Sequence, residues 1–306
     1  MFFDIITQRG DNHMEKAKVY FTKDLSSESL IKMFKILDKE LKGSVAIKLH
    51  TGEKGNQNFL TPEYVKPLVD FIGGTVVECN TAYEGARNST EKHKKLIKER
   101  GWSDFKFDLM DENDDDLELQ IKNHLVIDKN YVGSHMKNYD SMLVLSHFKG
   151  HPMGGFGGAL KQLSIGCASS RGKTYIHSAG RELDQTKLWD NLPKQDLFLE
   201  SMADAASSVV EFFKGNMAFV SVMKNLSVDC DCCEIAEDPC MKDIGILSSL
   251  DPVALDRACL DLIYKSKDKG RDHFVERVES RHGAHTIDSA EKLGFGTTNY
   301  ELIEVE

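Results

Sequence analysis

Apolar and polar positions along the chain fall into two alternating periods. Residues 17–21 (AKVYF), 44–50 (SVAIKLH), 75–79 (TVVEC) and 141–148 (SMLVLSHF) are short apolar runs, the pattern of strands buried on both faces. Between them the apolar positions take helical spacing. Residues 26–42 (SSESLIKMFKILDKELK) predict a helix capped by Ser26 or Ser27, and residues 61–72 one capped by Thr61 with Pro62 in its first turn. Residues 89–100 predict a third helix, and GGALKQL after the fourth strand starts another. Strands alternating with helices in this way imply an α/β fold, with a largely parallel or mixed sheet flanked by helices.

The second half is richer in helix. Residues 196–214 read as one long amphipathic helix whose Phe and Leu side chains are core positions. Residues 218–223 (AFVSVM) and 244–247 (IGIL) are strand-like, and DPVALDRACLDLIYKS opens with Asp251 as cap and Pro252 at the first helical position. No repeat or long linker interrupts residues 14–306, which predicts one domain of two interwoven α/β lobes, about 14–178 and 179–306. The first thirteen residues fit the pattern poorly and read as a tag or disordered leader. The run DENDDD (111–116) reads as a solvated acidic loop.

Composition narrows the function classes. The 306 residues carry 39 Lys+Arg against 49 Asp+Glu, a net charge of −10, which argues against a nucleic-acid partner. No apolar run approaches the roughly 20 residues of a membrane span, and no signal peptide is visible. The seven cysteines are an odd number, and Cys230, Cys232, Cys233 and Cys240 crowd together. That is unlike the disulfide framework of a small secreted chain, so a reduced cytoplasmic protein is expected. Cys79 and Cys259 read as buried packing thiols. His282 and His285 read equally as metal ligands or as a helix junction.

Three constellations could carry chemistry. The first is KLHTGEKGN (48–56), just past a buried strand, where open α/β sheets bind ligands. Lys48, His50 and Glu53 there could contact an anion or metal. The second is residues 146–177, where His147, Lys149, His151, Lys161, Arg171, Lys173 and His177 surround Gly154, Gly155, Gly157 and Gly158. Glycines leading into a helix are expected to leave free N–H groups for an anion, in a spacing that is neither a Walker loop nor a dinucleotide fingerprint. The third is residues 228–247, where Cys230, Cys232, Cys233 and Cys240 could hold zinc, copper or an iron–sulfur cluster, with Asp229, Asp231, Asp238 and Asp243 as added oxygen ligands. Their spacing matches neither a zinc ribbon nor a bacterial ferredoxin.

The segments HFKGHPMGGFGGALKQLSIGCASSRGK and DCDCCEIAEDPCMKDIGILSSLDPVALDRACLDLIY resemble the uncharacterised "Fe–S center protein" family, a domain of unknown function. The resemblance runs from about Met14 to near the C-terminus. Many members of that family carry a ferredoxin-like insert after the segment matching GKTYIH. Residues 178–214 of this chain contain no cysteine, so that insert is missing. More distantly, the segment from His151 through Lys161 to His177 is similar to the nickel-pincer lactate racemase family. That similarity implies His151 as proton-transfer base, Lys161 as cofactor anchor and His177 as metal ligand. The other catalytic histidine of that family has no counterpart in NTAYEGAR, after Cys79.

The expected function is a cytoplasmic metal-site protein that binds a small anionic ligand or cofactor in a basic, glycine-lined pocket, as a redox or proton-transfer enzyme with His151 and Lys161 as its catalytic pair. A non-catalytic metal or cofactor carrier and a racemase- or epimerase-like enzyme are the alternatives. A redox partner is an open expectation, and the oligomeric state is not legible in the sequence.

Overall fold

The computed structural model describes residues 16–113 and 115–306, so the predicted leader at 1–13 lies outside the described residues. The strands are β1 (Ala17–Thr22), β2 (Val45–Lys48), β3 (Thr75–Glu78), β4 (Phe107–Leu109), β5 (Asp116–Gln120), β6 (Lys129–Gly133), β7 (Ser141–His147), β8 (Lys149–His151), β9 (Gly155–Gly157), β10 (Met217–Met223), β11 (Gly245–Ser249) and β12 (Tyr300–Glu304). The helices are α1 (Ser27–Lys35), α2 (Pro62–Ile72), α3 (Thr90–Glu99), α4 (Ala159–Lys161), α5 (Ser170–His177), α6 (Gln195–Phe213), α7 (Pro252–Lys265), α8 (Arg271–Ser280) and α9 (His285–Leu293).

Eight strands form one sheet in the order β12-β1-β11-β10-β7-β2-β3-β4. Pairing is parallel except on both sides of β11, which alone runs against the others. The fold is therefore α/β with a mostly parallel mixed sheet, and strands from both halves of the chain share it. All seven residues of β7 are buried, as its unbroken apolar run requires. Met142 and Val144 face one layer with Ala203 and Val209 of α6 and Leu255 of α7. Leu143 and Leu145 face the other, with Leu30 and Met33 of α1 and Val65 and Leu68 of α2. Each such buried side chain contributes about 2 kcal/mol relative to exposure.

Local chemistry sets the helix ends. Asp251 accepts from Val253 N and Ala254 N at 2.8 and 2.9 Å, and Ser26 accepts from Ser29 N at 3.3 Å. Thr61 holds the cap position of α2 without a side-chain bond, and Pro62 follows it. Helix α1 stops at Lys35, well short of residue 42, because the chain turns through Asp38 at φ 47° and sends Leu37 into the apolar layer. The acidic run at 111–116 is not simply a solvated loop. Asp111 is buried and accepts from Asn80 N and Ser170 N, while Asp116 opens β5 and pairs with Arg171. Among the described residues no helix is long and apolar enough to cross a membrane.

Candidate metal and ligand site

The strand order places a crevice between β2 and β7. From β2 the chain proceeds outward through β3 and β4, then returns to lay β7 on the other side of β2. Loops leaving the carboxyl ends of two such strands diverge, and the gap is where α/β sheets take ligands. Lys48 and His50 leave β2, Cys79 leaves β3, and Lys149 and His151 follow β7. A cavity of about 390 Å³ lies there, lined by these residues with Arg87, Lys161, Lys173, His177, Cys232 and Cys233, and by the apolar Met153, Ile165, Leu188 and Trp189.

The loop after β10 brings cysteines to this edge by close backbone packing. Gly150 N donates to Ser227 O at 2.8 Å, and a Cβ on Gly150 would stand 2.2 Å from Val228 O, so only glycine admits the loop. Asp231 then fastens it. His147 Nδ1 lies 2.8 Å from Asp231 Oδ1, and Lys149 Nζ lies 2.8 Å from Oδ2, an ion pair set off the line of a good hydrogen bond. Burial works against the Asp231 charge, but His147 and Lys149 outweigh it and hold the carboxyl well below its usual range. Asn56 Nδ2 donates to Cys230 O and Cys233 O at 3.2 and 3.0 Å.

Asp231 separates two cysteines that turn toward one point. The Sγ atoms of Cys230 and Cys232 and a ring nitrogen of His151 all lie within 4.8 Å of one another, a group that could hold a metal ion. Lys161 Nζ lies 3.7 Å from Cys230 Sγ, and His151 Nε2 3.9 Å from Cys232 Sγ. Burial opposes ionisation of Cys230, yet hydrogen bonding from Cys232 and the charges of Lys161 and Lys149 hold its thiol well below the ordinary value. Cys232 goes the other way, because its proton is shared toward Cys230 and Cys233. Of this pair, the Cys230 thiol is the more readily ionised.

The histidines differ in which nitrogen is free. His151 Nδ1 accepts from Met153 N at 3.2 Å and Gly154 N at 2.8 Å, so the neutral ring keeps its proton on Nε2. His50 is arranged likewise, with Nδ1 accepting from Gly52 N at 3.0 Å. His177 is the reverse: its Nδ1 donates to Lys173 O at 2.7 Å and leaves a lone pair on Nε2. Burial, aided by neighbouring positive charge, holds His151 and His177 down at about 4, and it also lowers His50. All three rings are neutral at pH 7.

The glycine-rich turn does not leave an open anion site. The N–H groups of Ala159 and Leu160, at the start of α4, donate to Asp256 Oδ1 and Oδ2 at 2.8 and 2.9 Å. The group that fills this helix start is the protein's own Asp256 carboxyl, and Gly158 is needed because a Cβ there would meet Asp256 Oδ1 at 2.3 Å. Gly155 and Gly157 belong to β9, and Gly154 serves His151. Gly157 and Gly158 line the cavity, but as close-packed backbone.

The remaining predicted residues are divided by the fold. Lys48 Nζ is spent on Leu49 O and Gln162 Oε1, and Lys173 Nζ on Ala168 O, although both side chains line the cavity. Burial lowers both lysines. Cys233 lines the cavity outside the three-residue group. Cys240 stands apart from it, its Sγ donating to Leu226 O at 3.4 Å. Arg171 pairs with Asp116 and lies over the Tyr131 ring, off the cavity wall. Asp229 pairs with Arg277, Asp238 accepts from Gln57 and Asp243 from Asn225 N. None of these aspartates is in the group of three. His282 and His285 tie the α8–α9 junction to α6 through Asp196 and Glu200.

Sequence reasoning passed over Arg87, Glu78, Tyr83 and Trp189, which also line the cavity. Arg87 is buried, and its Nε donates to Glu53 Oε2 at 3.0 Å, so Glu53 serves the cavity by positioning Arg87. The signal that could have found it was its place in NTAYEGAR, the loop leaving the end of β3.

Among solved structures, the fold is similar to the lactate racemase apoprotein from Thermoanaerobacterium thermosaccharolyticum, with a TM-score of 0.41, 13% identity, and coverage of 66% of this chain and 50% of that one. It is also similar to a protein from Thermotoga maritima, with a TM-score of 0.40, 11% identity, and coverage of 87% of this chain and 58% of that one. The match thus spans between half and three fifths of those chains. No curated protein matches the sequence. Residues 45–261, from β2 into α7, match the family model described as Domain of unknown function (DUF362), and the chain belongs to that family.

Proposed function

We propose that this protein binds a soft metal ion through Cys230 and Cys232, and a small anionic ligand beside it in the cationic cavity. The observation that carries this reading is the convergence of the Cys230 and Cys232 thiols, whose Sγ atoms lie within 4.8 Å of each other beside Lys161. Two sulfur ligands fit zinc, nickel or iron better than a hard cation. Such a metal would supply Lewis acidity or a redox centre.

The ring of His151 fits a hydrogen-bond donor to the ligand, through Nε2–H, better than a metal ligand. Its Nδ1 already accepts two backbone N–H groups, so binding a metal through Nε2 would strip the neutral ring of its last proton. His177, with a free lone pair on Nε2, is the imidazole suited to ligation. Lys161, beside Cys230, neutralises charge at the thiolate or on the ligand.

A racemase- or epimerase-like reaction is a second reading, favoured by one observation. His177 lines the same cavity as His151, with a lone pair on Nε2 where the His151 ring carries a proton. Two acid–base groups around one ligand are what proton removal and return require.

Metal analysis of anaerobically purified protein tests the leading reading. Cys230→Ser and Cys232→Ser should each lose the metal, and His151→Gln should retain it. Metal lost only in His177→Ala would move the centre away from the cysteines, and metal-free wild-type protein would refute it.

A further inference from the structure

Among the described residues, the cavity holds a buried guanidinium that the protein leaves incompletely bonded. Arg87 is 3% exposed and lines the wall. Its Nε is bonded to Glu53, but its buried Nη2 meets no acceptor among the described residues. Buried guanidinium N–H groups are rarely left without acceptors, and an unfilled one at a cavity wall marks where a ligand acceptor belongs. The side chain is also fixed in advance. Glu53 N donates to Asp231 O at 2.8 Å and Thr81 N to Arg87 O at 2.9 Å, so both ends of the pair are anchored to the loops that build the site.

The rest of the wall has a different character. Met153, Ile165 and Leu188 form an apolar stretch, and Trp189, in the short helical turn Gln185–Asn191, is 55% exposed where it reaches the cavity. The lining thus passes from a buried cation to an indole in contact with solvent. A half-exposed Trp at a cavity mouth is suited to cover a flat apolar group. A volume of about 390 Å³ exceeds the roughly 150 Å³ that holds a benzene ring, leaving room for a charged group as well.

We propose that the ligand of this cavity is an aromatic monocarboxylate, its carboxylate bound by Arg87 and its ring covered by Trp189. This rests on the reading of the cavity as an anion site. A carboxylate fits better than a phosphate, since Glu53 already occupies one edge of Arg87 and Glu78 lines the same cavity. Both would repel a second negative charge.

The chain has two tryptophans, and Trp102 is fully buried, so ligand quenching of fluorescence reports on Trp189. Purified protein is titrated with phenylacetate, acetate, phenylacetamide and phenyl phosphate, with affinities checked by calorimetry. Phenylacetate should quench the fluorescence and bind at least tenfold more tightly than each of the other three. Arg87→Gln should reduce phenylacetate to the affinity of phenylacetamide, and Trp189→Ala should remove its advantage over acetate. Equal binding of phenylacetate and phenylacetamide, equal binding of acetate, or tightest binding of phenyl phosphate would each overturn the proposal. Should Arg87→Gln not fold, the wild-type ligand series decides alone. Metal content is measured on the same samples: selective binding by metal-free protein sinks the metal reading and keeps this one, and metal without selectivity does the reverse.

Discussion

Asp231 Oδ1 lies 2.8 Å from His147 Nδ1, and both side chains are buried. Through that contact the end of β7 holds the residue between Cys230 and Cys232. The opposite nitrogen of His147 bonds Lys224 O at 2.6 Å, so the ring bridges both ends of the cysteine loop. Asp231→Asn removes the charge that faces both His147 and Lys149. Breaking a buried pair by changing one partner costs about 3–5 kcal/mol. Urea denaturation should show a loss of that size, and the variant should bind metal more weakly with both thiols intact.

Gly150→Ala asks the same question from the backbone. The added Cβ would stand 2.2 Å from Val228 O, so the loop must move away from β8. A strain of about 1–3 kcal/mol is expected in thermal melts. Metal content should fall even though no ligand is altered. Unchanged metal content would mean that the cysteines do not depend on this packing for their position.

Asp256 gives the protein a pH dependence. Burial pushes its carboxyl up to about 7 from 3.8, despite the N–H groups of Leu160 and Ala159. The folded state therefore holds this proton more tightly than the unfolded state. Its contribution to stability is complete below the unfolded value of 3.8 and is lost as the pH rises to about 7. Between pH 5 and pH 8 the wild type should lose about 2–3 kcal/mol more stability than Asp256→Asn, compared by urea denaturation at both pH values. Parallel curves for the two proteins would show that Asp256 does not titrate in this range.

Much of the architecture was legible because it is local. The unbroken apolar run of β7 and the Asp251–Pro252 start of α7 each announce themselves within a few residues. The edge of the sheet where the candidate site lies followed from the same pattern. What escaped depends on distant partners. Asp256 looks like one more residue of α7, and its bonds reach Ala159 and Leu160 almost a hundred positions away. Arg87 lies in an irregular loop and takes its position from Glu53. The cysteine count pointed to the loop that reaches the cavity, but Gly150 packing and the Asp231–His147 contact, both between distant residues, set Cys230 and Cys232 there, while Cys240 is turned aside to Leu226. The glycine-rich turn misled for the same reason, since the carboxyl that fills it lies on another helix.

The central claim is that Cys230 and Cys232 hold a metal at the cavity wall. X-ray absorption at the edge of whichever metal accompanies the anaerobically purified protein tests it most directly. The expected spectrum contains two sulfur scatterers, at about 2.3 Å if the metal is zinc, which disappear in the Cys230→Ser, Cys232→Ser double variant. A first shell of nitrogen and oxygen alone, or a spectrum unchanged in that variant, would contradict it.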